Sequence, residues 1–214
     1  MRRLVHITLS PACRVARLVL GEKRLACDLV PAEDPLAHLP VFVDLDGKMI
    51  AGLWAIIDHL EGAHPEHPLV PDDPDERSET LRLLDWAMTN FNELVTKRIV
   101  FEKGTQSQTG ALVRRAPNME TVRMGRDALR AGLAELAPLA ETRGFLAGRD
   151  ISLADLGLAA HLSALDYFGE VPWAEIPAIT EWYTRLKSRP SFRPLLSDRV
   201  PGQPPALHYA ELDF

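Results

Sequence analysis

The sequence predicts two domains in series, an α/β domain followed by an all-α domain, and three stretches carry that prediction. Residues 39–60, LPVFVDLDGKMIAGLWAIIDHL, read as a Leu-Pro step, an apolar strand, a Leu-Asp-Gly-Lys turn, a second short strand and an amphipathic helix. Residues 61–77, EGAHPEHPLVPDDPDER, are rich in proline and acid and read as a linker. From there the apolar residues recur at helical spacing almost throughout. The expected division is 1–64 for the α/β domain, 65–77 for the linker, 78–197 for the helical domain and 198–214 for an extended tail.

Each element has its own local signal. Residues 3–9 (RLVHITL) alternate loosely and suit a first strand. Ser10-Pro11 reads as an N-cap and a proline at the first helical position, and Gly21 as the end of that helix. Residues 25–30 (LACDLV) are a second strand. The stretch PAEDPLAHL that follows, broken by Pro31 and Pro35, has room for one helical turn at most. In the second half, residues 76–101 form one periodic segment through Leu81, Leu84, Met88, Phe91 and Leu94. A loop over 103–118 precedes a helix over 119–141 that carries Val122, Leu129, Leu133 and Leu136. In GRDISLADLGLAAHL (148–162), Ser152 is the N-cap and Asp155 its partner in a capping box. The helix it opens is apolar on nearly every face and is expected to cross the domain centre.

Composition narrows the function. A net charge of −6 over 214 residues supplies no positive field to gather phosphates, which argues against nucleic-acid binding. No apolar run reaches the ~18 residues of a membrane span, and the start lacks the features of a signal peptide. The two cysteines, Cys13 and Cys27, make no disulfide framework, so a reducing cytoplasm is the expected compartment. His59, His64 and His67 lie across a helix end and a proline-rich loop at spacings that match no zinc template, so no metal is expected. Arg123, Arg126 and Arg130, with Arg114-Arg115 before them, form a basic strip. That strip reads either as a solvated face paired with nearby acids or as a docking face.

The order strand, helix, strand, Pro40, two strands, helix resembles the thioredoxin-like domain of glutathione transferases, with the second helix of that domain shortened or absent. The capping box at Ser152 and Asp155 and the segment PAITEWYTRLKSRPSF (177–192), with Trp182 and Arg189-Pro190, resemble the helical domain of the same family. The resemblance implies that Pro40 is cis and that the Leu39 backbone faces the cysteinyl part of glutathione. It further implies that an acidic residue and a serine should hold the γ-glutamyl end, at positions that here read Gly52-Leu53. Losing one charge-assisted hydrogen bond of ~1.5–3 kcal/mol weakens binding by roughly 10–100-fold.

By register with related members, Cys13 in Ser10-Pro11-Ala12-Cys13 matches the catalytic position, with Ser10 as the alternative. A thiol at a helix N-terminus is favoured as thiolate. The competing reading is a small buried residue beneath the helix. The enzyme hypothesis is therefore a glutathione transferase or thiol transferase using Cys13, with glutathione as substrate. The other hypothesis is a pseudoenzyme without a cofactor.

The tail DRVPGQPPALHYAELDF supports the second. Tyr209, Leu212 and Phe214 are spaced apolar groups beside Glu211 and Asp213, which reads as a tail packed back on its own domain or as a partner-recognition element. LSALDYFGEVPW (162–173), KSRPSFRPLLSDRVPG (187–202) and HYAELDF resemble one branch of the superfamily, the bacterial FzlA-type proteins. That resemblance implies a cytoplasmic homodimer at the division site that binds FtsZ filaments without glutathione chemistry. It also implies Tyr209, Glu211, Leu212, Asp213 and Phe214 as the partner surface.

Overall fold

The computed structural model describes residues 1–34, 38–104 and 116–212 of the chain. Strand β1 (Arg2–His6) leads to helix α1 (Pro11–Glu22) and strand β2 (Cys27–Pro31). Strands β3 (Val41–Val43) and β4 (Met49–Ala51) follow, then helix α2 (Leu53–Ala63). The sheet order is β2-β1-β3-β4, with β1 parallel to β2 and antiparallel to β3. Period-2 alternation turns Leu4, Phe42 and Ile50 toward the helices, where all are buried. On the opposite face Val5, Val30, Val41 and Val43 stay partly or largely open, and no helix lies between β2 and β3 among the described residues. Residues 35–37 of that connection lie outside them.

Gly21 does not end α1. It stays helical, and a Cβ there would meet Ser191 Cα at 2.9 Å, so its small size serves close contact with the helical domain rather than a C-cap.

In the helical domain, α3 (Pro74–Trp86) starts at Asp73, whose carboxylate accepts from the backbone N–H of Asp75 and Glu76. It continues directly into α4 (Ala87–Phe101), which is wound with i→i+5 hydrogen bonds. That winding overturns part of the periodic reading. Phe91, Val95 and Ile99, four apart, line the buried face of α4, while Leu94 is 45% exposed; Leu81, on α3, is also turned out, at 43%. The loop read over 103–118 lies outside the described residues for 105–115. Helix α5 (Met119–Arg143) then buries Val122, Leu129, Leu133 and Leu136.

Helix α6 (Leu153–Tyr167) is buried at every residue and packs against α1, α3 and α4. Its capping box forms between Ser152 and Asp155. The Asp155 carboxylate accepts from Ser152 N–H and Leu146 N–H, each at 2.9 Å, and from Trp182 Nε1 on α7 (Pro177–Lys187), also at 2.9 Å. Each donor would cost ~1–3 kcal/mol if left unsatisfied, so the box fixes both the start of α6 and the seat of α7. A single turn, α8 (Arg193–Leu196), and a 3₁₀ turn at Leu207–Ala210 complete the chain. No helix among the described residues is long and apolar enough to cross a membrane.

Candidate functional site

The corner between β1 and α1 is built by Ser10 as N-cap with Pro11 behind it. Cys13 lies at 0% exposure, its sulfur accepting from Ile7 N–H at 3.4 Å. Burial pushes the Cys13 thiol up, against the opposing pull of the Ile7 amide, the Ser10 hydroxyl and Arg17. Desolvation outweighs the helix-terminus effect here. Cys27 is half-buried on β2 and its thiol is pushed up to about 11, again by burial. Neither sulfur is poised as a thiolate.

The Leu39-Pro40 peptide is cis. Pro40 is buried, Leu39 is partly so, and the Pro40 carbonyl accepts from Gly52 N–H at 2.9 Å. Gly52 holds φ +90° and ψ 144°, a region open essentially to glycine alone. A Cβ at Gly52 would sit 2.8 Å from His38 Nε2, so the imidazole occupies the space a side chain would need. Leu53 is 6% exposed and belongs to the hydrophobic core. The two positions that would carry an acid and a serine are thus a glycine under a histidine and a core leucine.

The histidines named from the sequence do not converge. His59 Nε2 pairs with Asp44 Oδ2 at 2.8 Å, and His64 Nδ1 approaches Glu66 at 3.7 Å. The His67 carbonyl instead accepts from Lys23 Nζ. Among the described residues no group of three or more His, Cys, Asp or Glu could hold a metal ion. The basic strip is largely consumed by acids. Arg126 grips Glu170 through Nε and Nη2 at 2.6 and 2.8 Å, and Arg130 reaches Glu175 at 2.9 Å. Arg114 and Arg115 lie outside the described residues.

Of the two readings open for the tail, Tyr209 takes the first, packed back on its own domain, which corrects its place in the partner surface that the resemblance implies. Tyr209 is at 0% exposure and does not face a partner. Its hydroxyl donates to the Leu195 carbonyl at 2.8 Å and accepts from Arg14 Nη1 at 3.2 Å, and its ring meets Tyr167 edge-on at 5.1 Å. What the tail exposes is Leu207, at 98%, Leu212, at 44%, and Glu211. Asp213 and Phe214 lie outside the described residues.

A set of buried charges beneath the tail escaped the sequence reading. Arg14 and Arg17 both reach Asp198, with side chains 0%, 3% and 11% exposed. Asp166, fully buried, accepts from Trp173 Nε1 and contacts His208 Nε2, each at 2.8 Å, with Lys187 Nζ at 3.6 Å. Burial pushes the Asp166 carboxyl up and the Lys187 ammonium down. Arg14 and Arg17 at i and i+3 on an otherwise apolar helix face were the available signal.

Comparison with known proteins agrees with this architecture. Residues 4–68 match the family described as glutathione S-transferase, N-terminal domain, and residues 112–190 match glutathione S-transferase, C-terminal domain. The chain is 43% identical to FtsZ-localized protein A of Caulobacter vibrioides, covering 100% of this chain and 98% of that one. Among solved structures, FzlA from C. crescentus superposes with a TM-score of 0.93 at 42% identity, covering 100% of this chain and 99% of that one. A glutathione S-transferase from Rhodospirillum rubrum F11 gives the same TM-score at 40% identity, covering 100% of both chains. With two domains in this order and a full-length relative at that identity, the chain belongs to the glutathione S-transferase superfamily, in the branch that contains FtsZ-localized protein A.

Proposed function

We propose that this protein is a non-catalytic adaptor that binds FtsZ filaments at the bacterial division site, working in the cytoplasm without a cofactor. The observation that carries the reading is its full-length 43% identity to a protein named for its localisation to FtsZ. The site geometry supports it from the other side. Cys13 is sealed in the core, and Gly52 and Leu53 offer no side-chain acceptor for the amine of glutathione. The residues proposed to meet the partner are Glu211 and Leu212, with Asp213 and Phe214 beyond them and Leu207 before them.

The same reading pairs two copies about a two-fold axis. Met49, Trp54, Leu81 and Leu94 are 71%, 48%, 43% and 45% exposed, which supplies apolar surface on both domains. Trp54 and Leu81 line one cavity of about 550 Å³ between α2 and α3. A dimer presents two tails to a repeating filament and raises avidity.

Co-sedimentation with FtsZ polymers tests the proposal. Because Tyr209 is a core residue, the truncation that spares the fold starts at Glu211. The full chain is expected to pellet with FtsZ and the chain lacking 211–214 to remain in the supernatant. A full-length chain that fails to pellet removes the adaptor reading.

A further inference from the structure

The turn at Leu207–Ala210 is held from two sides by buried charge, and consecutive residues take opposite anchors. His208 reaches inward to Asp166, and its carbonyl accepts from Lys187 Nζ at 3.3 Å. Tyr209 reaches Arg14, whose guanidinium is tied at all three nitrogens: Nε donates to the Thr8 carbonyl, Nη1 to Ser163 Oγ and the Tyr209 hydroxyl, and Nη2 to Asp198. A guanidinium tied at each nitrogen cannot swing, so the position of the Tyr209 hydroxyl is set by α1 and α6 together. Main-chain bonds close the turn, from Ala206 N–H to the Tyr167 carbonyl, Tyr209 N–H to Ala206 and Glu211 N–H to His208.

With both anchors engaged, Leu207 is forced outward to 98% exposure, and Glu211 and Leu212 leave the surface beside it. A leucine turned wholly to water beside two anchored residues does nothing for the stability of the isolated chain.

We infer that Arg14, Asp166 and Tyr209 are positioning residues for partner recognition, holding the tail so that Leu207, Glu211 and Leu212 form one rigid epitope. This rests on the tail reading proposed above. The order a free peptide would acquire on binding is here acquired on folding, and apparent affinity scales with the fraction of tails docked. It also ties recognition to the first domain, because Arg14 directly follows Cys13 in the corner that the superfamily uses for chemistry.

The test follows amide exchange at Ala206, Tyr209 and Glu211 together with FtsZ co-sedimentation, using full-length protein. Tyr209→Ala should release these three amides, leave those of α6 protected, and weaken co-sedimentation at least tenfold although residues 211–214 are intact. Tyr209→Phe keeps the ring against Tyr167 but loses the hydroxyl's bonds to Arg14 and Leu195, so it should release the same amides and weaken pelleting, less than Tyr209→Ala does. His208→Ala, at a half-exposed position, should fall between and keeps the test decisive if Tyr209→Ala does not fold. Variants with released amides and unchanged pelleting overturn the inference while sparing the tail reading. Unchanged pelleting after loss of 211–214 instead overturns the tail reading itself.

Discussion

Replacing Asp198 by alanine probes the joint between the two domains. Its carboxylate is the shared acceptor for Arg14 Nη2 at 3.1 Å and for Arg17 Nη1 and Nη2, each at 2.9 Å. All three side chains are nearly or fully withdrawn from water. Removing one partner of a buried ion pair strands a desolvated charge and costs ~3–5 kcal/mol. Here two guanidinia are stranded, although Arg14 keeps Thr8, Ser163 and Tyr209, and Arg17 keeps the Pro194 carbonyl. Those surviving bonds hold the expected loss within that range rather than doubling it. Against a total stability of ~5–15 kcal/mol the loss is large. At ~2–4 °C per kcal/mol for a chain of this size, Tm should fall by about 6–20 °C. Thermal unfolding followed by tryptophan fluorescence measures the Tm and urea unfolding the free-energy loss, and Asp198→Asn, which keeps an acceptor but not the charge, should fall between. A loss under about 1 kcal/mol for Asp198→Ala would refute the reasoning, since the arginines would then be finding water or other partners.

Two further predictions concern single positions. Gly52→Ala places a Cβ at φ +90° against His38 Nε2 and should cost ~1–3 kcal/mol by urea midpoint; a neutral result would mean the strand-to-helix junction relaxes freely. His161 is wholly buried with its Nδ1 2.7 Å from Thr96 Oγ, and burial pushes its pKa down to about 3. A folded value below the unfolded one of about 6.5 means the contribution is complete above that pH and lost as pH falls toward 3. At ~1.4 kcal/mol per unit, roughly 2 kcal/mol is gone by pH 5. His161→Gln should show a flatter pH dependence of stability than the parent between pH 7 and 5, and equal slopes would contradict the assignment.

Much of the fold was legible because local and global signals agree. The Leu-Pro step, the turn at Gly47, and the Ser152–Asp155 box each specify a local geometry that the tertiary structure uses unchanged. Periodicity failed in α4 for a definite reason. A template of 3.6 residues per turn leaves Leu94 at the edge of the face centred on Phe91 and Val95, and the wider i→i+5 winding carries Leu94 farther round toward water while Val95 stays inward. Gly21 was misread because a helix-ending glycine and a glycine at a close contact look alike in one dimension, and Ser191 lies far along the chain.

The site was legible as a deficit and illegible as a network. Gly52-Leu53 declared the missing groups directly. The bonds from Arg14 to Tyr209 and from Asp166 to His208 span 195 and 42 positions, and nothing in local spacing announces such pairs. The resemblance implies Tyr209 in the partner surface, whereas its hydroxyl has two buried partners, Arg14 and the Leu195 carbonyl.

Titration calorimetry with reduced glutathione tests the central claim most directly, because it asks whether the fold still serves its superfamily's ligand. The account predicts no saturable heat at micromolar glutathione with the full-length protein. Stoichiometric binding in that range would show that a carboxylate or main-chain acceptor near Gly52 still holds the tripeptide's amine, and the adaptor reading would lose its physical basis.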